Sequence, residues 1–422
     1  LAGHGRGEDP PFVGLFPMII FIFHLLRISA MSHDFRLGLE TLIDKPPSWF
    51  TSARLGLVVN QASWTSGFEA AWTMIARSGG NISCIFSPQH GFLGEKQANM
   101  IESDHGWHEG LNVPVMSLYG RERQPTEEML RLVDVLVVDL QDVGTRVYTY
   151  GATMGLCLEA AAKQGVKFVV LDRPNPIDGE TVEGNTVHGE CRSFVGLYPL
   201  PMRHGMTMGE MAAFIADSKA MDCDLEVFPM KGWKRSDFYF QTPLPWFFPS
   251  PNMPSWETAL VYAGMVLLEG TNVSEGRGTT LPFHLFGAPF IQQEKLLRQL
   301  EKHSLQGVAF RPVSFEPAFD KWRGELCHGF QVHVTEMRKF SPYRTGLALL
   351  GSLLQTHGND FRWLPPPYEY EWEKQPIDIL IGNADIRRML EEGLQPEELE
   401  ALWSDELNRF MDARERCLLY GP

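Results

Sequence analysis

The sequence predicts an α/β protein: a mostly parallel sheet between layers of helices, followed by a smaller α/β domain. Three observations carry this. From Leu55 onward, short apolar runs alternate with helical patterns, as strand–helix units do. The runs are continuous in Val, Ile and Leu, which marks strands covered on both faces. A proline-rich segment, residues 243–254, then interrupts the alternation and reads as a hinge. With 422 residues the chain exceeds one ordinary hydrophobic core. Residues 31–254 are therefore expected to form a Rossmann-like parallel-sheet domain, and residues 255–422 a C-terminal α/β domain.

Taken in order, residues 55–59 (LGLVV) read as a buried strand and residues 67–76 as the helix after it. Residues 82–86 (ISCIF) and 113–118 are the next strands. Residues 127–133 are helical behind a Pro125-Thr126 start, and 135–138 are strand. A helix over 152–163 leads to the strand 166–171 (VKFVVL). Thr207 and Glu210 form a capping-box pattern ahead of a helix over 211–217, and 225–228 adds a strand. Beyond the hinge, Val332 and Val334 alternate with polar residues. Leu399, Trp403, Leu407 and Phe410 repeat at helical spacing after Pro396, which predicts one amphipathic closing helix.

Composition narrows the partners. The formal net charge is −15, and no Lys/Arg run reaches five, so neither nucleic acid nor an anionic membrane suits the surface. An uncharged or zwitterionic glycan remains compatible. The six cysteines (Cys84, Cys157, Cys191, Cys223, Cys327, Cys417) are scattered without metal-type spacing and read as reduced, structural thiols. The apolar run 15–26 is too short to span a bilayer. The first 30 residues read as upstream read-through before Met31, giving a cytoplasmic protein, or else as a signal peptide, giving a periplasmic or secreted one. Stable membrane insertion is not expected on either reading.

In open parallel sheets, ligands bind beyond the carboxyl ends of the strands. Here four strands end on polar groups: Asn60; Gln89 and His90; Asp139, Asp142 and Arg146; and Asp172, Arg173 and Asn175. Asn60 and Asn175 serve equally well as turn caps, and Arg173 as half of a structural ion pair. Asp139 and Asp142, with Arg146 and Tyr148 close behind, bring carboxylate, guanidinium and aromatic face together, a mixture suited to sugars. A second cluster, residues 269–280, holds Glu269, Asn272, Ser274, Glu275 and Arg277 among three glycines. Such a loop packs poorly as core, and its glycines permit close approach to a ligand. His90 and His204 are the histidines in the most polar company. Nucleotide-binding, zinc-peptidase and serine-esterase signatures are absent, so no metal or cofactor is expected. Carboxylate chemistry remains, and glycoside hydrolysis uses two carboxyl groups in distinct protonation states.

The motifs DLQDVGTRVYTY, LDRPNP, RHGMTMGE, PSPNMP and LEGTNVSEGRGTTLPF, in this order, resemble the exo-β-N-acetylmuramidase family from about Phe35 to Tyr420. The resemblance implies a cleft between a Rossmann-like domain and a smaller C-terminal domain. It also implies release of terminal, non-reducing N-acetylmuramic acid from peptidoglycan fragments during cell-wall turnover. One position departs from the pattern. Where the family commonly carries Glu in G-P-E-H-G, this chain reads Ser87-Pro88-Gln89-His90-Gly91, and an amide cannot act as acid or anionic base. Glu102 is the first expected substitute and Glu95 the second. Asp142 suits steering of the substrate acetamido group, Glu275 is a further carboxylate candidate, and Gln89 is left to orient water or grip that group. The alternative reading of Gln89 is a non-catalytic muropeptide-binding or sensor protein.

Overall fold

The computed structural model describes residues 35–97 and 100–421; the segment read as a leader lies outside them, as does Asn99. Strands β1 (Arg54–Val59), β2 (Asn81–Ser87), β3 (Gly106–His108), β4 (Val113–Ser117), β5 (Val135–Asp139), β6 (Lys167–Leu171) and β7 (Leu225–Phe228) form one seven-stranded sheet. Their order is β3-β4-β2-β1-β5-β6-β7, and every pair is parallel except β3 with β4. Val58 lies opposite Phe86 on one side and Val138 on the other, all three fully buried, as expected of strands with helices on both faces. The chain builds outward from β1 through β2 to β4, then returns to lay β5 on β1's other side. That reversal opens a crevice at the strands' carboxyl ends.

Helices α1 (Gly38–Asp44), α2 (Ala71–Arg77), α3 (Glu127–Leu130), α4 (Thr149–Gln164) and α5 (Met208–Ser218) accompany this sheet. α5 starts on the expected box: Thr207 Oγ1 accepts from the Glu210 amide and the Glu210 carboxylate accepts from the Thr207 amide. The helix expected over 67–76 begins only at Ala71, because a bridge between Trp64 and Ala70 closes a turn in which Phe68 takes φ +57°.

The second half pairs β8 (Leu285–Ala288), β10 (Cys327–Val334) and β9 (Val308–Phe315) as an antiparallel sheet, in that order. Around it lie α6 (Trp256–Met265), α7 (Gln293–Leu300), α8 (Pro342–His357), α9 (Pro376–Ile381) and α10 (Ala384–Glu391). The closing helix expected as one piece is two, α11 (Pro396–Leu402) and α12 (Ser404–Glu415). The ladder breaks at Trp403, where Ser404, Asp405 and Glu406 supply an acidic first turn that favours a new helix start. Leu399, Trp403 and Phe410 are still buried. One continuous cluster of buried side chains runs from Val58 and Val138 through Leu267 and Phe283 to Leu349 and Phe410, so both halves share a core. Among the described residues no helix is long and apolar enough to cross a membrane, and all six cysteines are unpaired.

The end of the described chain folds back onto the sheet. The Tyr420 hydroxyl donates to Asp172 Oδ2 at 2.6 Å, and the Thr207 hydroxyl and Gly209 amide donate to the same carboxylate at 2.7 and 2.8 Å. Burial pushes the Asp172 carboxyl up to about 6 despite these donors.

Glu183 is tied to the second half by the Arg344 amide, which donates to its Oε1 at 2.9 Å. Burial pushes this carboxyl up to about 7. A carboxyl raised in the folded state contributes stability below the ordinary glutamate range and loses it as pH rises through about 7. Glu183→Gln is therefore expected to gain on the native protein between pH 5 and pH 8, by on the order of 1 kcal/mol. Urea midpoints at the two pH values check this, and an equal difference at both would remove Glu183 as the cause.

Candidate active site

The strand-end residues do lie along one edge, beyond β1, β2, β5 and β6, but most are occupied in holding the edge together. Asn60 Nδ2 donates to the Tyr150 hydroxyl at 2.7 Å and to the Pro249 carbonyl at 3.1 Å, while its Oδ1 accepts from the Ala62 amide. With Gln61 and Tyr150 also donating to Pro249, the proline-rich segment is fastened to the end of β1. Asp139 forms a buried two-point ion pair with Arg173, whose Nη2 reaches Oδ2 at 2.9 Å and whose Nη1 donates to the Trp64 carbonyl. Asn175 is a turn fastener between the Ile177 amide and the Met206 carbonyl. Asp172 belongs to the Tyr420 network.

Arg146 enters the interior. Its guanidinium donates to four carbonyls, those of Asn185, Leu200, Leu380 and Ile381, the last two at the end of α9. Asp142 Oδ2 accepts from the Gly144 amide at 2.7 Å and faces His204 Nε2 at 3.3 Å. The Met206 amide donates to His204 Nδ1, so the neutral ring carries its proton on Nε2, toward Asp142. Asp142 and Arg146 line a separate enclosed cavity behind Tyr148.

A pocket lies between the two halves, with about 430 Å³ of empty space when its open mouth is counted. Gln89, His90, Tyr148 and Thr149 come from the first half, and Tyr262, Glu269, Arg277, Tyr368 and Glu369 from the second. Ser250 and Asn252 of the proline-rich segment complete the wall. Of the residues the sequence singled out, Gln89, His90, Tyr148, Glu269 and Arg277 meet here. His90 Nδ1 donates to the Lys96 carbonyl at 2.7 Å, leaving Nε2 as an acceptor; burial pushes the ring down to about 4, so it is neutral near pH 7.

A buried charge network supports one wall. Arg277 pairs with Glu269 Oε1 at 2.7 Å and with Glu275 Oε1 at 3.2 Å. Lys321 Nζ reaches Glu275 Oε2 at 2.8 Å, and the Tyr368 hydroxyl donates to Glu269 Oε2 at 2.6 Å. Burial alone would push the Glu275 carboxyl up, but Lys321 and Arg277 outweigh it and hold it below the ordinary range. Glu275 is thus an ionised strut behind Arg277. The loop glycines serve the same frame: Gly276 and Gly278, at φ +79° and +78°, leave no room for a Cβ against the Leu285 and Phe319 carbonyls. Asn272 is bound by its side chain to the backbone of residues 360 and 362, and Ser274 Oγ accepts from the Gly276 amide. Glu102 is exposed, and Glu95 does not line the pocket.

Glu369 is the acid the sequence did not suggest. It sits in Pro365-Pro366-Pro367-Tyr368-Glu369-Tyr370-Glu371, with Glu369 at φ +45° and Tyr370 at φ +64°. Two consecutive non-glycine residues in the left-handed region make a strained turn, of the sort found where side chains are aimed for function. The proline run followed by alternating aromatics and acids was the available signal. The Tyr119 hydroxyl donates to Glu369 Oε2 at 2.5 Å and Gln89 Nε2 to Oε1 at 3.4 Å, while Thr149 donates to Gln89 Oε1 at 2.6 Å. Arg123 stacks between Tyr119 and Tyr370, 4.2 and 4.3 Å from the two ring centroids, and clamps the turn. Among the described residues, no group of three or more His, Cys, Asp or Glu is placed to hold a metal ion.

Comparison with known proteins agrees with this two-part construction. Residues 55–257 match the family model described as exo-beta-N-acetylmuramidase NamZ, N-terminal, and residues 260–420 match its C-terminal counterpart. The chain is 41% identical over 393 residues to peptidoglycan beta-N-acetylmuramidase NamZ of Bacillus subtilis (strain 168), covering 93% of each. Two solved DUF1343 family proteins from Bacteroides fragilis NCTC 9343 share the fold. One has a TM-score of 0.82 at 31% identity and the other 0.72 at 28%; each comparison covers 92% of this chain and 99% of the solved one.

Proposed function

The chain belongs to the exo-β-N-acetylmuramidase NamZ family, and from that premise we propose that its pocket releases terminal, non-reducing N-acetylmuramic acid from peptidoglycan fragments. The observation that carries this reading is the pocket itself. It lies between the two halves and is lined by residues of both, the kind of interface at which ligand sites commonly form. Tyr148, Tyr262 and Phe283 supply ring faces for the sugar, and Thr149, Asn252 and the neutral His90 supply polar contacts. Arg277 is the cation among the described lining residues and suits the lactyl carboxylate that distinguishes muramic acid from glucosamine. Glu275 and Asp142 act on this site by positioning, through Arg277 and through the wall behind Tyr148. The six unpaired cysteines favour a reducing, cytoplasmic setting.

The test is release of a chromophore from an aryl N-acetylmuramide, compared with the matching N-acetylglucosaminide that lacks the lactyl group. Release from the muramide alone is expected. Binding of a muramyl disaccharide without turnover of any glycoside would favour the sensor reading that Gln89 invites.

A further inference from the structure

We propose that Glu369 is the proton donor of this reaction, an assignment that rests on the glycosidase reading. A glycosidic oxygen leaves poorly unless it is protonated as the bond breaks. Among the described residues the carboxyl groups lining the pocket are those of Glu269 and Glu369. Glu269 is ion-paired with Arg277 and accepts from Tyr368, so both of its oxygens are engaged in the wall. Glu369 touches only neutral donors, the Tyr119 hydroxyl and the Gln89 amide, and is buried in the pocket wall at 5% exposure. Burial pushes its carboxyl up, against those two hydrogen bonds, and the neighbouring Glu269 charge adds to the rise. Of the two, Glu369 is the carboxyl paired with no cation among the described residues and held toward its protonated form, as the acid of glycoside cleavage must be.

In the step proposed, the Glu369 carboxyl gives its proton to the glycosidic oxygen as the bond from that oxygen to C1 breaks. The bonding pair leaves with the oxygen, which departs as a hydroxyl group. A water molecule then bonds to C1 through its oxygen and returns a proton to the Glu369 carboxylate. Gln89 holds the acid in place: Thr149 fixes its carbonyl end, so its amide end must face Glu369 and Tyr119. An amide and a carboxyl in direct contact also allow the pair to be exchanged without changing volume.

Two variants test this, Glu369→Gln and the exchange Gln89→Glu/Glu369→Gln, each assayed on a muramyl disaccharide and on an aryl muramide with an activated leaving group. Glu369→Gln is expected to lose about 10²–10⁴-fold in kcat on the disaccharide and about tenfold or less on the activated substrate, which needs little protonation. The exchange variant, which keeps one carboxyl and one amide in contact, is expected to regain at least about tenfold over the single variant. A disaccharide rate within about threefold of native, or equal losses on both substrates, would overturn the assignment. So would an exchange variant no faster than the single one, a comparison that still holds if Glu369→Gln folds poorly. A native protein that turns over neither substrate would overturn the glycosidase reading and this assignment with it; native turnover beside an unaffected Glu369→Gln overturns the assignment alone.

Discussion

Replacing Arg277 with methionine is expected to cost about 3–5 kcal/mol of folding stability, the range for breaking a buried ion pair from one side. The guanidinium lies between two buried carboxylates, Glu269 and Glu275, and Lys321 also reaches Glu275. Methionine fills much of the volume, so the loss reflects charge more than a cavity. In the variant the carboxyl pKa values rise in the folded state, and the penalty grows as pH climbs above the ordinary glutamate range. The destabilisation should accordingly be smaller at pH 5 than at pH 8. Urea titrations at both pH values measure it. A loss below about 1 kcal/mol, or one independent of pH, would mean the network is not held together by charge. Activity should fall too, since Arg277 lines the pocket and Glu269 keeps its orientation through it.

Arg146→Met is the second large effect, about 3–5 kcal/mol by comparison with other buried hydrogen-bond networks broken from one side. Four carbonyls lose a charged donor at once, and two of them close α9 in the other half of the molecule. Relief of the buried charge offsets part of that loss, but the orphaned carbonyls remain. Because Arg146 is held away from the pocket between the two halves, KM of the folded fraction at low temperature should stay within about twofold of native. A raised KM with an unchanged melting temperature would return Arg146 to the substrate.

The sheet was legible because buried parallel strands write themselves as unbroken apolar runs; β1, β2, β5 and β6 stand within a residue or two of their expected positions. The polar strand ends were equally visible, but their roles were not. An asparagine that caps a turn and one that binds a sugar share the same side-chain chemistry, and Asn60 and Asn175 proved to be fasteners. The glycines of residues 269–280 misled for a related reason, since their close approach is to the chain's own backbone. For Glu369 the local pattern, a proline run before alternating aromatics and acids, marked a turn but named no partner. Glu369 is 280 residues from Gln89, in a loop with no strand before it, and only the tertiary fold joins the two. The break at Trp403 was hidden because the apolar spacing continues across it.

The bond from Tyr420 to Asp172 has a consequence for how the molecule comes into being. The two residues are 248 positions apart. A ribosome making about 5–20 residues per second needs at least ten seconds or so to cover that distance. During that interval the carboxylate at the end of β6 lacks the second of its two hydroxyl donors, Tyr420, and the core shared by Val138 and Phe410 stands open on one side. The parallel sheet therefore waits, partly built, for the segment that seals it. A nascent chain halted at the proline-rich segment should expose apolar surface and recruit chaperones, whereas one extended past Tyr420 and clear of the exit tunnel should close.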